Sequence, residues 1–262
     1  MWDRKVKIDL KQVNDLYKNH MSGIFTIKPR VLLGRVESES DTPVLLSMQM
    51  PSSDIGSISL LEGAMLVAIS KLINPNLIFE YGTYLGYTTT LLTRNTNKHC
   101  LISSIDLGDV SSTYEHAACY SKDDLLSNDT KNDDYLRLTQ AKKGEFYLRS
   151  LTFDERERVT LLKQDSNSLD VFRIGLNSKV DLVFIDGGHD SKTITSDTSN
   201  AMKMIGNNGV IVWHDFDSSV HRDVTDYMMS FCKENVIIHI ESTMLVLFIK
   251  GDAIEKVFGK VI

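Results

Sequence analysis

Apolar residues along this chain fall into short continuous runs, set apart by polar segments that carry glycine or proline. Five runs stand out: Leu77–Tyr81, Leu101–Asp106, Val159–Lys163, Val180–Asp186 and Val210–Trp213. Runs this short and unbroken are what parallel strands buried on both faces require. Helical stretches alternate with them, as crossover connections demand. Two further runs, Val236–Ile240 and Met244–Lys250, are separated only by Glu241-Ser242-Thr243. A link of that length permits an antiparallel hairpin and forbids a crossover helix. Ahead of the first strand, Ser59–Ile73 reads as a helix, apolar at Leu60, Leu61, Ala64, Met65, Val67, Ala68 and Leu72. Asn74-Pro75-Asn76 ends it, because proline cannot continue a helix. The pattern predicts an α/β fold of seven strands, five parallel plus the hairpin, with helices on both faces.

Two stretches depart from this rhythm. Residues 1–55 have no clear periodicity beyond a short amphipathic helix within Lys5 to Lys18, and Pro29, Pro43 and Pro51 break up the remainder. They read as an N-terminal arm that covers part of the core or a partner subunit, which would make the protein a homo-oligomer. The domain proper is then 56–262. Between the second and third strands lie about fifty residues, Leu107 to Arg158, where a crossover needs far fewer. The segment is acidic at Asp123, Asp124, Asp129, Asp133 and Asp134. It also holds Tyr114, Tyr120, Tyr135, Phe146, Tyr147 and Phe153, more aromatics than a disordered linker carries. It is read as an extended crossover with a lid or substrate loop, against the alternative of a solvated surface excursion.

Composition narrows the class. An apolar fraction of 42% and a charged fraction of 24% are those of a soluble globular protein. A net charge of −6 gives no basic face for nucleic acid or an anionic membrane. Cys100, Cys119 and Cys232 are too scattered for a disulfide framework or a zinc site. The opening MWDRKVKIDL has no apolar core of a signal peptide, and no run is long enough to span a bilayer. A cytoplasmic location is expected.

Ligands of open α/β sheets lie beyond the C-terminal ends of the strands, so the residues there carry the chemistry. The first strand runs into Glu80, Gly82, Thr83 and Gly86 in FEYGTYLGYTT. The two glycines let the backbone approach a ligand, although an ordinary turn would carry glycine too. Their spacing is Gly-x-x-x-Gly, not the Gly-x-Gly-x-x-Gly that seats a pyrophosphate. Glu80 would repel phosphates and suits an amine or ribose hydroxyls. The expected ligand is a nucleoside with little phosphate, and S-adenosylmethionine fits. Asp106, at the second strand end, can accept both ribose hydroxyls, or cap a turn. Asp165 and Ser166 follow the third and suit an adenine edge, though Asp-Ser is also a common N-cap pair. The fourth ends in Asp186-Gly187-Gly188-His189-Asp190 and the fifth in Trp213-His214-Asp215-Phe216. Two carboxylates, Asp186 and Asp215, and two imidazoles, His189 and His214, are thereby expected in one cleft. They suit a divalent cation such as Mg²⁺, Mn²⁺ or Fe²⁺, and equally general-base catalysis by histidine. The two roles compete for His189.

The pair VDLVFIDGGHD at 180–190 and NNGVIVWHDFD at 207–217 resembles class I S-adenosylmethionine-dependent methyltransferases. The nearest group is bacterial, with IDGxH and VWHD strand ends, and is similar to the catechol and macrolide-sugar O-methyltransferases. Asn208 stands where that group usually has glycine. The resemblance covers roughly residues 55–250 and implies a Rossmann-like seven-stranded sheet. It also implies a cofactor pocket of Glu80, Gly82, Thr83, Gly86, Asp106, Asp165, Ser166 and Asp186. The catechol type implies Mg²⁺ held at Asp186 and Asp215. The asparagine expected next is Phe216 here, so His189 or His214 would have to replace that ligand, with His214 as the expected donor and Mg²⁺ or Mn²⁺ as the expected ion. At the position of the catechol type's base lysine stands His189.

The expected activity is methyl transfer from S-adenosylmethionine to a hydroxyl of a small molecule, a sugar or a secondary metabolite, with Asp186, His189 and His214 as the catalytic set. Metal-free N-methylation is the nearest alternative. An NAD-dependent oxidoreductase is more remote, because its glycine motif is missing. A non-catalytic module that merely keeps the fold would have no use for the Asp and His residues at the last two strand ends.

Overall fold

The computed structural model describes residues 6–52, 56–108 and 129–259. Its strands are β1 (Val6–Lys7), β2 (Gly23–Ile27), β3 (Leu77–Tyr81), β4 (Leu101–Asp106), β5 (Val159–Lys163), β6 (Leu182–Ile185), β7 (Gly209–Trp213), β8 (Val236–Ile240) and β9 (Val246–Lys250). Among the described residues they form one nine-stranded sheet in the order β1-β2-β8-β9-β7-β6-β3-β4-β5. All pairings are parallel except those of β9 with β7 and β8. The five parallel strands and the C-terminal hairpin stand where the apolar runs predict them. Strands β6 and β7 are buried along their whole length, which is why their runs are unbroken.

The N-terminal residues differ from the expected arm. They form β1, helix α1 (Leu10–Lys18), β2 and helix α2 (Pro29–Ser38), and both strands belong to the sheet. The reason is in GIFTI, where Ile24, Phe25, Thr26 and Ile27 are all buried. A five-residue apolar run is a strand in any register, but Pro29 and the polar residues after it hid the run. Pro29 itself begins α2, where its missing N–H costs nothing.

Helices cover both faces. Helices α3 (Leu60–Ile73) and α4 (Tyr87–Asn95) pack on one side with Met65, Leu66, Ile69, Leu91 and Leu92. Helix α3 starts at a reciprocal cap in which Ser59 accepts from the Glu62 N–H and Glu62 accepts from the Ser59 N–H. Between β4 and β5 the described part of the long connection holds helix α5 (Asp129–Lys143) and a short helix α6 (Phe153–Glu157). On the other side of the sheet α7 (Ser191–Ile205) and α8 (Arg222–Phe231) bury Ile194, Ala201, Met204 and Met228. Tyr114, Cys119, Tyr120, Asp123 and Asp124 lie outside the described residues.

The chain enters the sheet core at β3, runs outward through β4 to β5, then returns to place β6 on the other side of β3. Strand order reverses there, and that is where an α/β sheet opens a crevice. Register sharpens the point. Tyr81 pairs with Ile105 and Ile185, and Ile185 pairs with Trp213. The next residues, Gly82, Asp106, Asp186 and His214, therefore leave the sheet in one row.

Candidate active site

Beyond that row lies a cavity of about 520 Å³. It is the size of a small-ligand site. Its walls include Gly82, Thr83, Asp106, Asp165, Ser166, Asp186, His189, His214 and Asp215, all singled out from the sequence.

Glu80 and Gly86 are not part of the wall. Glu80 is fully buried beneath it and accepts a hydrogen bond from Thr89. Burial raises its carboxyl to about 8, against the lowering effect of Ser104 and Thr89. Glu80 is the last residue but one of β3, and its side chain is enclosed beside Thr89 and Ser104 rather than at the wall. Gly86 begins α4 at φ +79°, and a Cβ there would meet Leu148 Cγ at 2.7 Å. Gly82, at φ +88°, does line the cavity, but its Cβ would sit 1.9 Å from the Asp186 carbonyl oxygen. Both glycines are thus required by protein packing on protein: α4 against Leu148, and the β3 turn against the β6 turn.

At one end of the cavity Asp106 is held firmly. Its Oδ2 accepts from the Tyr84 N–H at 2.6 Å and from Gln140 Nε2 at 2.8 Å, and its Oδ1 from the Leu107 N–H at 2.8 Å. Burial raises its carboxyl, in spite of those donors. Asp165 accepts from the Asn167 N–H at 2.9 Å, so it caps a short turn while also lining the wall. Asp197, on α7, is 1% exposed and its Oδ1 has no hydrogen-bond partner, although the residue faces the cavity. Burial raises its carboxyl to about 7. A nucleoside presents donors for such groups: hydroxyls for Asp106 and an amino group for an orphaned carboxyl oxygen. The residues present fit an adenosyl ligand.

At the other end carboxylates and imidazoles are packed together. His189 Nδ1 lies 2.9 Å from Asp133 Oδ1 and its Nε2 3.0 Å from Asp215 Oδ2. His214 Nδ1 lies 3.0 Å from Asp186 Oδ1 and 3.2 Å from Asp215 Oδ2, while its Nε2 is 3.4 Å from Glu62 Oε2. The His221 ring stacks on His189 with centroids 3.7 Å apart. Asp215 adopts φ +62°, a conformation rare for a residue with a side chain and typical of places where function fixes the backbone. Burial would strip the proton from His189, but Asp133 and Asp215 outweigh it and raise the imidazolium to about 10. His214 is raised well above its ordinary value by Asp215 and Asp186, again against burial. Burial pushes Asp215 up, and the two imidazoles beside it bring it well below the carboxylate range. Glu62 is likewise brought down to about 2, because His214 and the N–H groups of Met244 and Ser59 overcome burial.

This geometry alters the expected part of His189. A general base needs a free nitrogen near neutrality, and both of its nitrogens face carboxylates that keep it protonated. Phe216 is 2% exposed, packed near His239, and offers the cavity nothing. The donors for a divalent cation are present nonetheless. Asp186, His214 and Asp215 bring ligand atoms within 4.8 Å of one another, and so do His189, Asp215 and His221.

Glu62, Asp133, Gln140, Asp197 and His221 belong to the site and are not marked by the sequence pattern. Glu62 reads only as the second half of a helix cap. Asp133 and Gln140 share one face of α5, and in the sequence Asp133 is only one of several acidic residues of that segment with nothing to set it apart. His221 and Asp197 follow no motif that would distinguish them.

With that geometry in view, comparison with known proteins adds one decisive match. A family profile described as "Methyltransferase domain" matches residues 79–216, more than half of the chain. No curated protein matches. Solved structures with similar folds include an O-methyltransferase from Bacillus cereus in complex with SAH. It is 13% identical, with 84% of this chain and 89% of that chain covered and a TM-score of 0.47. Another is an O-methyltransferase from Streptomyces achromogenes involved in tomaymycin synthesis, in complex with SAM. It is 14% identical, with 92% and 96% covered and a TM-score of 0.46. Likeness of that degree decides nothing about chemistry.

Proposed function

This chain belongs to the methyltransferase-domain family, and on that premise we propose that it transfers a methyl group from S-adenosylmethionine to a hydroxyl of a small molecule. The observation that carries the reading is one cavity at the strand-order reversal, with carboxyl groups suited to a nucleoside at one end and a carboxylate–imidazole cluster at the other. Asp106 would accept from the ribose, and Asp165, Ser166 and Asp197 would meet the adenine. Those contacts would aim the methyl-bearing sulfonium toward Asp186, just past β6 and part of the carboxylate–imidazole cluster. Much of the acceleration would come from holding donor and acceptor in line.

A hydroxyl attacks far better once its proton is gone. His189 is already protonated between Asp133 and Asp215, so the chain's own free acceptors are carboxylate oxygens. A divalent cation held by Asp186, Asp215 and His214 would lower the hydroxyl's pKa. Without a cation, Asp186, the less enclosed of the two carboxylates, would take the proton; with a cation held there, the proton would leave to solvent. An amine acceptor would not need this cluster, which favours O- over N-methylation. The acceptor is a small molecule because the cavity is a pocket in which bound cofactor would leave only modest room.

The test is direct. Purified protein is titrated calorimetrically with S-adenosylhomocysteine and with NAD, then assayed with labelled S-adenosylmethionine against a panel of sugar and phenolic hydroxyls. Micromolar binding of S-adenosylhomocysteine and label transfer to oxygen are expected. Tight NAD binding with no affinity for S-adenosylhomocysteine would overturn the reading.

A further inference from the structure

We propose that Gln140, on helix α5, is a second ribose acceptor: Asp106 takes one of the two ribose hydroxyls, and the side-chain oxygen of Gln140 takes the other. The proposal rests on the reading of this cavity as a site for an adenosyl cofactor. It draws the long connection between β4 and β5 into cofactor recognition.

The lone pairs of Asp106 carry the argument. A carboxylate offers about four acceptor positions, two on each oxygen. Here Oδ2 already accepts from the Tyr84 N–H at 2.6 Å and from Gln140 Nε2 at 2.8 Å, and Oδ1 accepts from the Leu107 N–H at 2.8 Å. Protein donors therefore fill Oδ2 and half of Oδ1. A ribose presents two adjacent hydroxyls. The position left on Oδ1 serves one of them, so the other needs a second acceptor close by.

Gln140 supplies it. Its Nε2 lies 2.8 Å from Asp106 Oδ2 and 3.1 Å from the Tyr84 carbonyl oxygen. Both neighbours are acceptors, which fixes the way round the amide stands, with nitrogen toward them and Oε1 away. An amide nitrogen has two hydrogens, and these two contacts use both. What the side chain still offers is the lone pairs of Oε1, beside the carboxylate that receives the first hydroxyl. Gln140 is buried and forms part of the cavity wall. A buried amide oxygen calls for a donor, and a ribose hydroxyl is one.

The place of Gln140 on α5 extends the contact beyond the ribose. Asp133 stands about two helical turns earlier on the same face, roughly 10 Å along the axis. It meets His189 Nδ1 at 2.9 Å, at the other end of the cavity. One helix face thus touches both ends, and a ribose held by Gln140 would hold α5 over the acceptor end as well.

The experiment measures binding of S-adenosylhomocysteine and of its 2′-deoxy and 3′-deoxy analogues by calorimetry, in full-length wild type, Gln140→Lys and Gln140→Leu. Lysine keeps donors toward Asp106 and the Tyr84 carbonyl but removes the acceptor, whereas leucine removes both. In wild type, the analogue without the hydroxyl that faces Gln140 should bind about three- to tenfold more weakly than S-adenosylhomocysteine. In both variants S-adenosylhomocysteine should lose about that same factor, and that analogue should bind no more weakly than S-adenosylhomocysteine itself. A general disturbance of α5 would weaken all three ligands alike and leave each analogue's penalty in place. That outcome overturns the proposal. So does tighter binding of S-adenosylhomocysteine to Gln140→Leu, which would make the amide an obstacle to the ribose. If wild type binds none of the three ligands, the adenosyl reading falls and the proposal falls with it. Wild-type binding with penalties unchanged in both variants removes the role of Gln140 alone.

Discussion

At the scale of single residues the site separates charges that serve the ligand from charges that serve the fold. On the proposed reading Asp106 is of the first kind. Replacing it with alanine removes charge-assisted hydrogen bonds worth roughly 1.5–3 kcal/mol, so S-adenosylhomocysteine affinity should fall by about ten- to a hundredfold. Calorimetry on Asp106→Ala checks this, and unchanged affinity would place the ribose elsewhere. Glu80 belongs to the second kind. Burial raises its carboxyl from an ordinary 4.5 to about 8 in the folded chain. Between those values the native state holds a proton that the unfolded state has lost, so stability declines as pH rises. The slope approaches about 1.4 kcal/mol per pH unit for one proton. The loss begins near pH 4.5 and levels off above about 8. Glu80→Gln keeps the shape and the contact with Thr89 without the charge. Urea melts of this variant should show a flatter profile and greater stability than wild type at pH 8.

At the scale of elements, the strand ends are tied to each other before any ligand arrives. The β3 and β6 turns touch through Gly82, where even a methyl group would lie 1.9 Å from the Asp186 carbonyl oxygen. Gly82→Ala combines that overlap with an unfavourable φ of +88°. It should cost about 3 kcal/mol and lower Tm by roughly 6–12 °C, as a thermal melt would show. A wild-type Tm would mean that the two turns can separate freely. The same elements show what a sequence can display. The five parallel strands and the hairpin were legible because each is an unbroken apolar run with a polar end, and a run of that kind has few other folds open to it. The acidic and imidazole groups of β6 and β7 were legible for the same reason: a charge that closes an apolar strand stands out. Helix α5 was not. Asp133 and Gln140 face inward only because the helix lies across the crevice, and its polar sequence fits a solvated surface equally well. Glu62 was hidden differently, since its capping role already accounts for it locally. Glu80 misled because it stands one residue before the end of β3, and a run of letters does not show that its side chain is enclosed beneath the cavity.

At the scale of the whole molecule, the sheet extends beyond its seven central strands. Strand β2 lies parallel to β8, from Gly23 beside Val236 to Ile27 beside Ile240, and Thr26 Oγ1 meets His239 Nδ1 at 3.2 Å. Removing residues 1–28 would bare the β8 edge, and an open apolar edge invites pairing with other chains. The shortened protein should elute as aggregates in size-exclusion chromatography. A monomeric, folded product would show that β2 is dispensable. None of the described helices is long and apolar enough to cross a membrane. The pairing of β2 with β8 also sets a timetable for the ribosome. Thr26 and His239 are 213 residues apart in sequence. At about 5–20 residues per second, β2 waits roughly 10–40 s for β8 to be made. Over that interval GIFTI is an apolar segment without a sheet, and a nascent chain in that condition is a natural client for a chaperone.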